Sequence, residues 1–474
     1  MDGISQYPDK FEDRQRTAAP EVIPFREAFW TWARVAALSF GGPAGQIAVM
    51  HRILVEEKRW IGETRFLHAL NYCMLLPGPE AHELAIYIGW LLHRVRGGIV
   101  AGTLFVLPGL FVLTALSLVY AEFGHIGIVQ AVFFGLKAAV LAIVLEAVVR
   151  VGKRALKSRG LVAIAGLAFV AIFAFGISFP LIVAAAALIG YAGNRVGLLW
   201  FKPGGAHGAA KSDSGAPAYI DEVFARAVPE HVRPSWARLL KAATVGGFIW
   251  LAPLLALFFT FGPNNVFTAI AAFNSKMAVV TFGGAYAVLA YMAQQAVEHF
   301  HWLRPGEMLV GLGFAETTPG PLISVVQFVG FMAAFRHPGG LDPAVAGVLG
   351  GALAMWSTFV PPFIWIFAGG PYVESLIGNK SLNAALSAVT AAVVGVILNL
   401  AVWFTIHTLF RHVQEAHWSV VSLSIPVWST INWAAVAISA AAMFAIFRFR
   451  IGMLPVLAAS CLAGIILHFV AGTI

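Results

Sequence analysis

The sequence predicts an all-α polytopic membrane protein made of two homologous halves, and three observations carry that prediction. Of its 474 residues, 59% are hydrophobic and 11% charged, where soluble domains carry roughly 25% charge. Mean hydropathy is +0.81, and apolar runs near the ~20 residues needed to span a bilayer recur along the chain. Short motifs from the first half return in the second at a constant spacing. About 9–13 membrane segments are expected from these runs, with broken or re-entrant helices among them.

Residues 1–25 are polar and mixed in charge, lack the apolar core of a cleavable signal, and are expected to be cytoplasmic. A first membrane repeat follows over 26–200, with apolar runs at 26–51, 64–93, 98–120, 126–150, 161–178 and 180–200. Residues 201–237 form a linker, marked by Lys202-Pro203-Gly204-Gly205 and by Lys211-Ser212-Asp213-Ser214-Gly215-Ala216-Pro217. Gly, Pro and charge at that density belong to solvated chain. An extra connecting helix is expected at 238–261, then a second membrane repeat over 262–474 with runs at 266–293, 306–335, 343–370, 383–410, 430–447 and 451–471.

The halves are copies. Phe40-Gly41-Gly42 recurs as Phe282-Gly283-Gly284, and Pro77-Gly78-Pro79 as Pro319-Gly320-Pro321, both at an offset of 242. Met50 and Met292, Trp60 and Trp302, Leu67 and Leu309, and Leu70 and Leu312 keep that offset. An insertion around 337–343 then moves it to 253, where Lys137-Ala138-Ala139-Val140 faces Thr390-Ala391-Ala392-Val393. Lys and Arg crowd the connector at 150–160 and are missing from 121–125 and 261–265. By the positive-inside rule the linker is then cytoplasmic. The extra helix adds one crossing between the copies, so the second is expected upside down, as in many secondary transporters.

Each repeat contains two interruptions. Proline removes a backbone donor and clashes with the preceding turn, so Pro-Gly-Pro ends one helix and begins another. The pieces are too short to span separately and read either as halves of one broken span or as a re-entrant hairpin. Both choices aim helix N-termini, with free N–H groups and a positive dipole end, at the break. Interrupted segments in corresponding positions are the best sequence pointer to a transport site. The predicted binding set is therefore Gly41, Gly42, Gly283, Gly284, Pro77, Gly78, Pro79, Pro319, Gly320 and Pro321.

The repeat register adds four side chains to this set. Arg34 pairs with Lys276, each six residues before its Phe-Gly-Gly, and Ser39 pairs with Thr281 just before each break. A cation inside an apolar segment faces a partner or a wet cavity, or snorkels to the interface. Two in register favour an anion site, where Arg can clamp a tetrahedral oxyanion and Lys acts as a point charge. Intramembrane acids do not follow the symmetry: Glu80 and Glu83 flank His82 after the first Pro-Gly-Pro, whereas Glu316 precedes the second. These four are the proton-coupling candidates. Glu80 and Glu83 also suit plain capping of a helix start.

Other classes have little support. The basic residues lie in connectors and form no face for nucleic acid. Cys73 and Cys461 make no disulfide framework, and no P-loop or haem-attachment motif is present. His299 and His301 beside Glu298 lack the spacing of a metal helix, so neither a metal nor a cofactor is expected.

The paired Phe-Gly-Gly and Pro-Gly-Pro motifs, duplicated over roughly residues 26–471, resemble the long, two-domain chromate ion transporters. The resemblance implies a multi-pass protein of the bacterial or archaeal inner membrane that exports chromate and confers chromate resistance. One departure is Ala285 where the first copy has Pro43, which implies a softer second break. Sulfate has the same tetrahedral dianionic shape, so the expected partners are a chromate- or sulfate-like oxyanion and the lipid bilayer, with a homodimer as a candidate assembly. Proton co-transport, antiport, an anion channel, and an enzyme acting on an anionic head group at 298–301 are the competing readings.

Overall fold

Backbone in hydrocarbon has to satisfy its own N–H and C=O groups, which helices do within one segment. The computed structural model describes residues 22–196, 218–282, 285–373, 380–418 and 421–471, and it is helical almost throughout. The first half runs α1 (Phe25–Leu38), α2 (Gly42–His51), α3 (Glu63–Cys73), α4 (Glu80–Phe123), α5 (Gly127–Ala155), α6 (Arg159–Phe175) and α7 (Phe179–Arg195). Two helices follow the linker, α8 (Tyr219–Arg226) and α9 (Trp236–Phe261). The second half contains α10 (Val266–Val280), α11 (Ala285–Gln294), α12 (Glu307–Thr317), α13 (Val325–Arg336), α14 (Pro343–Phe359), α15 (Pro361–Gly369) and α16 (Lys380–Leu409). A hairpin of β1 (Val413–Trp418) and β2 (Val421–Pro426) precedes α17 (Trp433–Phe449) and α18 (Met453–Ala471). Among the described residues six helical stretches are long and apolar enough to cross a membrane, and five more are apolar but shorter.

The halves correspond element by element. Helices α1 to α3 match α10 to α12, and both α2 and α11 run into a π-helical turn, at Arg52–Glu57 and Gln295–His299. Arg59 and His301, 242 residues apart, both take positive φ, at 52° and 54°. Helix α4 is two helices joined at a kink, where His93 and Arg94 leave helical geometry; the second half has a loop there instead. Helices α5 and α16 begin 253 residues apart, whereas α6 with α17 and α7 with α18 begin 274 apart (433 − 159 and 453 − 179). The antiparallel β-hairpin accounts for the extra length. Hydropathy did not signal it, since its alternating polar pattern differs from the apolar runs on either side.

Contacts are exchanged between the halves. Helix α7 packs along α16 and α18 along α5; α6 packs on α16 and α17 on α5; α5 and α16 touch each other. Small residues permit the approach, as in many membrane helix pairs. A Cβ on Gly190 would meet the carbonyl of Ala384, and one on Gly464 the carbonyl of Ala131. Residues 190 and 464 are equivalent at offset 274, and 131 and 384 at offset 253, so these are two copies of one contact.

The interrupted segments are hairpins that start and finish at one end of the molecule. In the first half, His93 Nε2 donates to the Ile23 carbonyl at 2.9 Å, joining the start of α1 to the kink. Helix α8 sits beside them: Tyr219 and Ile220 donate to the carbonyls of Arg59 and Trp60, and Asp221 accepts from the Gly62 N–H and pairs with Arg65. In the second half, Arg336 holds Glu307 at 2.7 and 2.9 Å and the Trp302 carbonyl at 2.7 Å. Glu307 also accepts from Tyr120, near the far end of α4. At 1.5 Å per residue, the 27 residues from His93 to Tyr120 cover about 40 Å. The two hairpin sets therefore open at opposite ends of the second segment of α4, from the kink at His93 to Tyr120.

The exchanged helix contacts lead to a stability test. Leucine at Gly190 or Gly464 adds helix propensity worth up to about 1 kcal/mol, but the collision outweighs it, since overpacking costs about 1–3 kcal/mol. Gly166 in α6 faces open space. Thermal unfolding in detergent is expected to show lower midpoints for Gly190→Leu and Gly464→Leu and no loss for Gly166→Leu.

Candidate functional site

Helix α1 stops at Leu38 because the chain turns at Gly41 and Gly42, with φ of 83° and 70°. That left-handed geometry costs a residue with a side chain roughly 1–2 kcal/mol. Pro43 then occupies the first turn of α2, where its missing N–H is not needed. In the second half α10 ends before Thr281 and α11 starts at Ala285 without a proline. Gly283 and Gly284 lie outside the described residues.

The Pro-Gly-Pro turns tie the two halves together. Gly78, at φ 154°, donates its N–H to the Thr281 carbonyl, and Gly320, at φ 124°, donates to the Ser39 carbonyl; both bonds are 2.9 Å. Residues 78 and 320, and likewise 39 and 281, are equivalent at offset 242. Each turn thus caps the break of the other half. The Ser39 and Thr281 hydroxyls donate back to Val35 and Met277 within their own helices, both at 2.6 Å. Gln46 Nε2 donates to the Gly320 carbonyl at 2.5 Å, so the peptides on both sides of this glycine are held.

Around these turns lies a group of buried polar atoms. His82 and Glu83 are fully buried and Glu316 nearly so. Glu83 packs against the turn, where a Cβ on Gly78 would meet its Oε1. The edges or faces of Phe105, Phe359 and Phe363 surround the His82 ring. Tyr286 donates to Glu316 Oε1 at 2.7 Å, and its hydroxyl lies beside Gly42. Glu80 Oε2, both His82 nitrogens, both Glu83 oxygens, Glu316 Oε2 and Ser324 Oγ are buried without a protein partner. Buried polar atoms are normally paired, and an unpaired ion in an apolar interior is costly. Such a concentration suits a place where a proton, water or ion is exchanged.

The structure thus brings together Ser39, Thr281, Gly42, the two Pro-Gly-Pro turns, Glu80, His82, Glu83 and Glu316. It does not place the two cations among them. Arg34 lies on the outward face of α1 and pairs with Glu57 at 2.7 Å, while Lys276 lies on the exposed face of α10. Four helical starts, at Gly42, Glu80, Ala285 and Leu322, follow the four breaks, so positive dipole ends surround the centre without a fixed cation. Gln46 and Tyr286 were not legible as site residues. Their repeat equivalents are Val288 and Ala44, so register alone gives no signal for either. Among the described residues no group of three His, Cys, Asp or Glu could hold a metal ion.

Residues 26–191 and 268–465 match the family described as Chromate transporter. The chain is 32% identical over 398 residues to a chromate transport protein of Pseudomonas aeruginosa, covering 83% of this chain and 84% of that one. It is 27% identical over 374 residues to a chromate transport protein of Cupriavidus metallidurans, covering 78% and 80%. An uncharacterized transporter of Bacillus subtilis is 30% identical over 138 residues, which cover 29% of this chain and 70% of that one; its whole length is thus close to one half of this chain. No solved structure matches at a significant level.

The cross-half bonds use carbonyls rather than hydroxyls, and this sets the expected outcome at the breaks. Gly78→Ala and Gly320→Ala force a side chain into positive φ and are each expected to cost roughly 1–2 kcal/mol, lowering the thermal midpoint. Ser39→Ala and Thr281→Ala leave the bonded carbonyls in place and are expected to unfold near wild type. The reverse pattern would mean that the hydroxyls hold the breaks.

Proposed function

The chain belongs to the chromate transporter family, and from that premise we propose that it is a secondary transporter carrying chromate through the centre where its four breaks meet. The observation that carries this reading is the exchanged pair of bonds, Gly78 N–H to Thr281 C=O and Gly320 N–H to Ser39 C=O. Broken backbone survives at membrane depth only where protein covers it or it lines a cavity. Here each half covers the other's break, and helix N-termini supply the positive potential that a dianion needs.

In this reading the halves are inverted repeats. Hairpin mouths at opposite ends of the second segment of α4 support it, because each set then enters from its own side of the bilayer. Alternating access consists of one half rocking against the other about the shared tips. The basic connectors support a cytoplasmic linker and α8, and the membrane in this reading is an inner membrane. A potential negative inside is worth about 2.3 kcal/mol per charge per 100 mV. Export of a bare dianion therefore gains about 4–5 kcal/mol per 100 mV, and export of the dianion with one proton about 2.3 kcal/mol.

Arg34 and Lys276 precede Ser39 and Thr281 by five residues, about 7.5 Å along a helix. From their exposed faces they draw the dianion toward the breaks and release it there. Glu83, with Glu80, His82 and Glu316, couples the movement to protons. Ionised, Glu83 neutralises the helix start beside it and repels a dianion; protonated, it does neither. Proton and dianion then favour each other's binding, which is co-transport. Sulfate is the competing substrate, since its shape and charge are the same.

Purified protein reconstituted in vesicles at a set potential tests this reading. Saturable chromate flux with counterflow is expected, and an unsaturable conductance would indicate a channel. Arg34→Ala and Lys276→Ala are expected to raise the half-saturating chromate concentration, and Glu83→Gln to remove the pH dependence of flux. Wild-type concentration dependence in both cation variants would take them out of the pathway. A pH profile unchanged in Glu83→Gln would do the same for the proton role. Sulfate flux exceeding chromate flux would reassign the substrate.

A further inference from the structure

A cavity of about 620 Å³ lies away from the central breaks, between Lys137 and Gly306 on one side and the 407–413 stretch with Asn432 on the other. Its ionisable lining residues are Lys137, His407, Arg411 and His412, and no acid lines it among the described residues. Lys137 sits ten residues into α5 and is largely covered; a Cβ on Gly306 would stand 3.8 Å from its Nζ. Glu307 is the acid whose charge reaches Lys137. Its carboxylate is already held by Arg336, Tyr120 and the Arg304 N–H. No ion pair joins Lys137 or Arg411 to an acid among the described residues. A cation left without a partner in a membrane helix normally faces a wet cavity and a mobile counter-charge.

We propose that this pocket is a second anion site, one that takes an oxyanion, either a free tetrahedral dianion or the phosphate group of a lipid. It opens at the end of the molecule where Tyr120 meets Glu307, opposite the end occupied by α8. The site is built once, from residues of both halves. Lys137 is Thr390 in the other copy, and Arg411 and His412 lead into the β-hairpin that lengthens only the second half. A two-fold frame has equivalent ends, and a charged vestibule built once makes those ends unequal. From the central-site reading this inference takes only the class of anion. Its placement rests on the pocket's own charges.

The test is binding of radiolabelled sulfate to the full chain in nanodiscs of neutral phosphatidylcholine, compared with nanodiscs containing phosphatidylglycerol. Lys137→Met and Arg411→Gln are each expected to weaken one class of sulfate site about tenfold, and Lys137→Arg to retain it. Gly320→Ala, which disturbs only the central breaks, is expected to leave that class intact, so failure of the two sites is told apart. Displacement of sulfate by phosphatidylglycerol in wild type but not in Lys137→Met would identify lipid phosphate as the occupant of the same site. Arg411 is exposed, so Arg411→Gln reads the pocket without disturbing the fold. Identical isotherms for wild type, Lys137→Met and Arg411→Gln in both lipids would overturn the proposal.

Discussion

The rest of the structure depends on how a broken backbone is satisfied inside a membrane. Helices stop at four places, and each stop frees peptide groups that need partners. Two of these groups are the N–H of Gly78 and the N–H of Gly320, and each finds its acceptor in the opposite half. The long helices repeat the arrangement, with α7 and α18 packed on the partner half's central helix, α16 and α5. In this chain the second copy is thus part of how the interrupted segments are held as well as a record in the sequence.

On that two-fold frame sit features that occur once. The acids and His82 follow the first Pro-Gly-Pro, and their equivalents in the second half are Leu322, Ser324 and Val325. The hairpin and the Lys137 pocket lie at the opposite end from α8. Shared elements thus build the breaks and the long-helix contacts, and single-copy residues supply the buried acids, His82 and the basic pocket.

Much of this was legible before any coordinates. Constant offsets locate the repeats, and Pro-Gly-Pro marks a helix end whatever surrounds it. Other parts were not legible, for identifiable reasons. Pro-Gly-Pro says that a helix stops but not which way the next one points, so hairpin and broken span look alike in sequence. Arg34 reads as an isolated intramembrane cation because its partner Glu57 is 23 residues away and meets it only once α1 and α2 fold back. Gln46 bonds across the halves to Gly320, and Tyr286 bonds Glu316 within its own half. Neither has a repeat partner of its own kind, and the β-hairpin falls between two apolar runs.

The central claim is that the two hairpin sets enter from opposite faces and share their tips. Glu56 and Glu298 are exposed equivalents, 242 residues apart, near the mouths of the two sets. Single cysteines at these positions, with Cys73 and Cys461 replaced by serine, can be probed with a membrane-impermeant maleimide in right-side-out and inverted vesicles. The account predicts labelling of 298 from the outside only and of 56 from the inside only. Labelling of both from one side would contradict it.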